Sequence, residues 1–566
     1  MDTHPIHTQV LIVGGGPVGL ALSLELGSRG IHCCVIEQNE RLGASQAPRS
    51  KMLNVRSMTH VRRWGLVDAI RRATPLPPEY PSDIIYATRL TGLEFARFEN
   101  AFCTKRAGDD RFPDGAAWIP QYRNEDVFRE AAAQMPTVTI MMGTRLLTFT
   151  QSGQHVEATI ATTHGSQVVH SDYIVGADGA RSTVRALAGI VMDEIPSAST
   201  KMSNISALIR APGLSKLHKL GPAIIYHVVN GEVSAGMGPF DDGDRWFINA
   251  HPPHWSGDLA NFDLVAYTQA VIGAPVAIEV LYKSTWAPRA LLARNYSKGR
   301  VFLVGDASQV RPPTGGYGMN LGVCDAADLG WKLAATLQGW GGVGLLSTYE
   351  LERKRVHHRV LREALENYGF VDAIRNSRIS LDDLELPGPA GADARARLGD
   401  LTREQKEREY HTLGVVLGDQ YLDSPLVATE SGSPPPQQFR DYIPSSYPGC
   451  LAPHLWISVG RSLYDLFGPG FTLLLVDGRR ADETAFTTAA AKLGIPLTIV
   501  KLDTAAARNL YPTSLTLIRP DQHVAWRGSA PPADLEGLLN KARGGEAMAL
   551  DQSKWVAVGG SHELVQ

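Results

Sequence analysis

The stretch QVLIVGGGPVGLALSLELGSRGIHCCVIEQ, Gln9–Gln38, decides how the chain begins to fold. An apolar, β-branched run stops at a glycine cluster, a helical run follows, and a second apolar run ends at Glu37. Gly14, Gly16 and Gly19 set out G-x-G-x-x-G between the first strand and the helix. In a βαβ unit the first glycine makes a tight turn and the second lets backbone approach a pyrophosphate. The third lets the helix lie close on the sheet. The helix opens at Pro17 and Val18, and its N-terminus offers free N–H groups and a positive dipole end to phosphate. Glu37, followed by Gln38, stands about 20 residues on, where a ribose-binding acid belongs. The pattern predicts an α/β chain with a Rossmann-like dinucleotide-binding domain; the bland alternative is a glycine-rich turn without a ligand.

A second stretch, RVFLVGDASQVRPPTGGYGMNLGVCDAADLGWKL, covers Arg300–Leu333. It reads as a buried strand ending at Gly305-Asp306, a proline- and glycine-rich loop, and a helix from about Met319-Asn320. A carboxylate at the carboxyl end of a parallel strand lies where open α/β sheets bind ligands. Asp306 can accept hydrogen bonds from a polyol such as a ribityl chain. Pro313, Gly316 and Gly318 bring backbone close to something flat, and the helix dipole suits developing negative charge there. That geometry favours an isoalloxazine, and so FAD over NAD as the resident dinucleotide. A third stretch, YIVGADGARSTVR, ends a strand at Asp178-Gly179 with Arg181 and Arg185 after it. Read alone, the arginines fit a surface ion pair or a bidentate pyrophosphate clamp equally well.

These three motifs, in their order along the chain, resemble the FAD-dependent aromatic hydroxylases. These are the group A flavoprotein monooxygenases of the para-hydroxybenzoate hydroxylase and phenol hydroxylase family. The first looks like the family's FAD-adenosine fingerprint. The second is similar to its riboflavin-holding Gly-Asp motif. The third is similar to its Asp-Gly motif, which serves FAD and NAD(P)H. Lesser matches place the family's flavin-loop arginine at Arg49 and its cofactor-reaching glutamine at Gln121. Gln309 stands where the family usually has histidine, and Asp325-Ala-Ala-Asp328-Leu replaces its DAxNL. The resemblance implies FAD as cofactor, NAD(P)H as transient co-substrate, and O2 consumption. It further implies hydroxylation of a phenolic or polycyclic aromatic through a flavin C4a-hydroperoxide. Baeyer–Villiger or antibiotic/polyketide-modifying chemistry on the same fold is one alternative, and a non-catalytic FAD-binding protein is another.

The remaining chain is assigned around those motifs. Residues 1–395 are expected to form the FAD-binding domain. A substrate-binding sheet is expected to be inserted at about 76–115 and 191–286. Tyr226, His227, Arg245, Trp246 and His251 are its pocket candidates, each also readable as sheet packing; no catalytic residue is named. The stretches ELPGPAGADARARLGDL and TESGSPPPQQFRDYIPSSYPG suggest a linker or arm over 396–450. A strand–helix–strand–strand-pair order over 451–566 suggests a thioredoxin-like domain, structural or dimerising. It lacks CxxC, so thiol redox chemistry is not expected.

Composition fits these assignments. The 566 residues are 44% hydrophobic and 20% charged, with a formal net charge of −3. No basic field points to nucleic acid or an anionic membrane. Five scattered cysteines form no metal-binding cluster and suit a reducing cytoplasm. The first apolar run is too short for a membrane span and has no basic stretch before it. A homodimer is left open.

Overall fold

The computed structural model describes residues 5–40, 49–195, 204–241, 243–252 and 261–546. Parts of the expected substrate segment and the last residues of the expected C-terminal domain lie outside these.

Three parallel strands define the first sheet. Gly165–Gly176 lies between Ile6–Val13 and Val301–Leu303, and Cys33–Ile36 flanks Ile6–Val13 on the other side. Val10, Leu11, Ile12 and Val35 are fully buried, as expected for strands covered on both faces. The three motif strands are therefore neighbours running one way, and the loops after Val13, Gly176 and Leu303 leave the sheet at one edge.

A second sheet of seven strands draws on two separated segments. Ile84–Ala87 and Glu94–Phe98 join five strands between Asn204 and Trp286. It is antiparallel except where Ile225–Val229 runs parallel to Ile84–Ala87. Side chains alternate between its faces. Ile205, Tyr226, Trp246 and Ile248 pack away from the first sheet, in a core shared with helix Leu264–Ile272. Leu208 and Phe247 form a cluster on the opposite face with Trp118 and Tyr122.

The C-terminal sheet orders Leu497–Leu502, Phe471–Val476, Leu515–Ile518 and Val524–Gly528, with helix Arg480–Lys492 between the first two in sequence. Its core includes Phe471, Leu473 and Phe486. It continues into Trp331 and Ala335 at the far end of helix Tyr317–Leu337. Ionic contacts extend this seam. Arg519 is fully buried and reaches Glu352 at 2.5 Å and Asp521 at 2.6 Å. Lys332 on the long helix reaches Glu352 at 2.6 Å and Asp328 at 2.7 Å. Those three carboxylates lie close enough to share a cation, but Lys332 and Arg519 fill that role.

One segment corrects the expectation. Gly388–Tyr410, which opens the proposed arm, is a helix of 23 residues. Its proline stands in the first turn, where proline is tolerated, and Gly399 in its middle lies where a Cβ would strike the Phe95 carbonyl. The alanines, arginines, lysines and glutamates that follow are good helix formers.

Candidate active site

The three loops at the sheet edge touch one another. Gly14 has φ +109°, and a Cβ there would sit 2.5 Å from the Ala177 carbonyl. A Cβ on Gly19 would collide with the Gly14 carbonyl. Packing within the protein thus explains two of the fingerprint glycines. It does not explain Gly16, whose Cβ would meet nothing within 4 Å. Pro17 is buried at the helix start, and Val18 lies 3.1 Å from where a Gly305 Cβ would be. Glu37 accepts Gly15 N–H at 2.9 Å through one oxygen. Through the other it accepts Asn39 N–H at 2.9 Å and Asn39 Nδ2 at 2.6 Å. The oxygen that holds Gly15 can still accept from a ribose hydroxyl. Gln38 beside it is exposed.

In the Asp178 loop, one carboxylate oxygen accepts the N–H groups of Thr183 at 2.7 Å and Val184 at 3.1 Å. The other oxygen is buried without a partner, and burial raises the pKa. Gly179 adopts φ +77° beside open space. Arg185 does not ion-pair with Asp178. It donates to the carbonyls of Ala180 at 2.8 Å and Ala307 at 3.0 Å, tying this loop to the Asp306 loop. Arg181 is exposed.

Gly305, at φ +60°, donates its N–H to Asp325 at 3.0 Å. Asp325 also accepts from Arg353 at 2.8 Å and pairs with His357 at 2.9 Å. With the backbone anchored there, the Asp306 side chain turns outward to an open cleft, with protein around its base. That desolvation raises its pKa, against the opposing charges of Arg311 and Arg49. Gln309 accepts a hydrogen bond from Arg311, while its Nε2 is buried without a partner. Pro313 precedes Gly315 and Gly316, which take φ +74° and +65°. Gly315 donates its N–H to Glu409 at 3.1 Å. A Cβ on Gly316 would approach Met52 Cε to 2.8 Å, whereas one on Gly318 would meet nothing.

The neighbouring candidates serve the frame. Asn320 donates to the carbonyls of Met52 and Gly316 and accepts from Asn54 N–H at 2.8 Å and Ser57 at 2.7 Å. Met319 sulfur meets Asn124 at 3.3 Å. Gln121 holds Glu125 at 2.8 Å. Arg49 is exposed, and its charge partly offsets the burial that raises the pKa of both Glu125 and Asp306. The residues present fit FAD. Gly16, Gly179 and Gly318 leave room that protein does not use, and Asp306 stands free in the cleft between them.

The second sheet separates the pocket candidates. Tyr226 and Trp246 face the core behind it, so they are corrected to packing residues by strand alternation. His227 lies on the other face, stacked on Tyr86 at 4.6 Å between ring centroids. Its Nε2 meets Tyr410 Oη at 3.2 Å, and Tyr410 meets Tyr86 Oη at 2.6 Å. His251 Nδ1 pairs with Asn204 at 2.5 Å. Burial, then the charge of Lys406, holds His227 down at about 3 and His251 at about 4, so both are neutral. Arg245 is ion-paired with Asp241. Lys406, Glu409 and Tyr410 escaped the sequence reading because their helix was taken for a linker. The run EQKEREY was the signal available.

Comparison with known proteins agrees with this geometry. The FAD binding domain family matches residues 7–364. The family described as aromatic-ring hydroxylase, C-terminal, matches residues 445–545. An FAD-dependent monooxygenase of Emericella nidulans, apdD, is 30% identical over 92% of this chain and 87% of its own. Aklavinone 12-hydroxylase RdmE of Streptomyces purpurascens is 30% identical over 96% of this chain and 99% of its own. The solved structure of the rebeccamycin biosynthetic enzyme RebC with reduced flavin is 35% identical with a TM-score of 0.86. It covers 96% of this chain and 100% of that one. With its three motif loops gathered at one sheet edge and both family matches in place, the chain belongs to the FAD-dependent aromatic-ring hydroxylases, which are flavoprotein monooxygenases.

Proposed function

We propose that this monooxygenase uses NAD(P)H and O2 to hydroxylate a flat phenolic or polycyclic aromatic substrate. The adjacency of Gly16, Asp178 and Asp306 at one sheet edge carries the FAD part of this reading. The aromatic lining around Phe247 and the relative that hydroxylates aklavinone support the substrate class. When bound, FAD would take a hydride from NAD(P)H, activate O2 and deliver one oxygen atom to the ring.

The chain's own residues bind and orient. Gly14, Gly16, Pro17, Val18 and Gly19 shape the turn and helix start for the pyrophosphate, and Glu37 takes the ribose. Asp306 takes the ribityl chain. Pro313, Gly316 and Gly318 set backbone against the ring, braced by Met319 and Asn320. Arg49, Gln121, Asp178, Gly179 and Arg181 complete the cradle. The second sheet forms a roof that keeps water out, and neutral His227 and His251 offer hydrogen bonds without adding charge. The C-terminal domain is structural and grips the end of the long helix. The same reading places the protein in the cytoplasm, where its five free cysteines stay reduced, as a homodimer that light scattering would check. No helix among the described residues is long and apolar enough to cross a membrane.

The test is a substrate panel on FAD-loaded protein, reading stimulated NAD(P)H oxidation and the product mass. A gain of one oxygen atom on an aromatic ring is expected. Protein that takes up no FAD, or oxidises no NAD(P)H with any aromatic, overturns the reading.

A further inference from the structure

Lys51 directly precedes the strand Met52–Leu53, and its ammonium lies 4.1 Å from the centre of the Phe247 ring. Its one hydrogen bond goes to the Arg49 carbonyl, at 3.2 Å. Three cations with almost no exposure differ from this half-buried lysine. Lys332 and Arg519 touch two carboxylates each within 3 Å, and Arg353 touches Asp325. Lys51 has no such partner among the described residues, and burial pushes its ammonium down to about 8. A desolvated charge without a counter-ion is costly and is normally paired.

The surroundings point to where a partner would come from. Phe247 lies on the sheet face turned toward the flavin loop, beside Leu208 and Phe240. Trp118, Tyr122 and Tyr282 border that patch and are only half-buried, so it stays partly open. The nearby Arg245 is already neutralised by Asp241. The wall is therefore apolar and aromatic, and Lys51 brings to Phe247 a positive charge that no carboxylate meets among the described residues.

We propose that Lys51 binds the carboxylate of an aromatic acid lying against Phe247, so that the enzyme selects acidic over neutral aromatics. The inference rests on the hydroxylase reading and names the substrate class within it. A carboxylate would replace the hydration Lys51 has lost, while the ring covers the half-open wall. One charged hydrogen bond of this kind corresponds to roughly tenfold to a hundredfold in affinity.

The experiment titrates FAD-loaded protein with 3-hydroxy-2-naphthoate and with 2-naphthol, following the flavin absorbance spectrum. The two probes share a ring system and a hydroxyl and differ in the carboxylate. The acid is expected to bind at least about tenfold tighter than the neutral phenol. Lys51→Met keeps an unbranched stem on Phe247 and should abolish that preference, leaving 2-naphthol binding unchanged. Lys51→Arg should restore most of it. A role in packing alone would weaken both probes together. Equal affinities in the unaltered protein, or an equal loss for both probes in Lys51→Met, overturns the proposal. So does flavin-loaded protein whose spectrum neither probe moves. Protein that holds no FAD overturns the hydroxylase reading instead.

Discussion

Glu409 holds the backbone N–H of Gly315 at 3.1 Å, from a helix that begins far from the flavin loop in sequence. The same carboxylate meets Lys406 at 2.5 Å, and Lys406 in turn donates to the Asn367 carbonyl at 2.9 Å. The loop keeps its left-handed turn because a buried acid fixes it from behind. Glu409→Ala removes that anchor and leaves Lys406 without its carboxylate. A lost charged hydrogen bond of about 1.5–3 kcal/mol would lower FAD affinity by roughly tenfold to a hundredfold. More peroxide per NAD(P)H consumed is expected as well. Unchanged FAD content and coupling would show that the loop holds its shape without Glu409.

Gly16 and Gly19 should part company on mutation. A side chain at Gly16 meets no protein atom and its backbone is extended, so Gly16→Val should fold with an unaltered melting temperature in the FAD-free state. It should nevertheless lose FAD binding, because the branched side chain fills the space where a pyrophosphate approaches. Gly19→Val strikes the Gly14 carbonyl, and its soluble yield should collapse. Calorimetry of both apo-proteins, with FAD titration of the first, separates the two effects. Tight FAD binding by Gly16→Val would place the pyrophosphate elsewhere.

Asp306→Ala should leave the fold intact, since no hydrogen bond among the described residues depends on that carboxylate. FAD affinity should drop by roughly tenfold to a hundredfold, the scale of one charged hydrogen bond. Equilibrium titration by flavin fluorescence reads this directly. Unchanged affinity would leave Asp306 as a strand terminator.

The motif glycines were legible because their spacing is dictated by local geometry, and the three strands carrying them proved to be neighbours. Alternation along the second sheet was legible too, but not which phase faced the flavin. Tyr226 and His227 are adjacent and both aromatic, and only the helix Leu264–Ile272 packed behind one face decides between them. Glu409, Lys406 and Tyr410 were hidden for a different reason. Proline and glycine at the start of their helix mimic a linker, and Gly315 and His227, which Glu409 and Tyr410 meet, lie more than ninety residues away. Lys51 was not legible, because a lysine shows its lack of a counter-ion only once its neighbours are placed.

Acid should destabilise the protein in the histidine range. His227 and His251, held at about 3 and about 4, stay neutral in the folded protein while unfolded histidine titrates near 6.5. The unfolded state therefore binds more protons below that value, so stability is full above it and is lost as the pH falls toward 4. Each group contributes a slope of at most about 1.4 kcal/mol per pH unit. Melting temperatures between pH 7 and 4.5 should show the decline, and His227→Asn should flatten it. An unchanged slope would mean that His227 is already protonated in the folded state.

Breaking the inter-domain ion network should cost more than removing a surface pair. Arg519→Met leaves Glu352 and Asp521 buried with less compensation. A loss of about 3–5 kcal/mol is expected for a buried pair deprived of one partner. Denaturant unfolding measures it, and a change within 1 kcal/mol would argue that water reaches this seam.

Arg56 donates to Gln522 and to the Asp521 carbonyl at 2.7 Å, across 465 residues of chain. It lies on the helix Val55–Arg63, whose first residues hold Asn320 and hence the start of the flavin helix. During synthesis, the fingerprint turn leaves the ribosome long before the residues that clamp its neighbour. A nascent chain can form the nucleotide-binding strand order early and still lack the brace on the flavin side until the stretch around Asp521 has been made. A settled flavin site would then wait for that stretch, and products truncated before it would lack the brace.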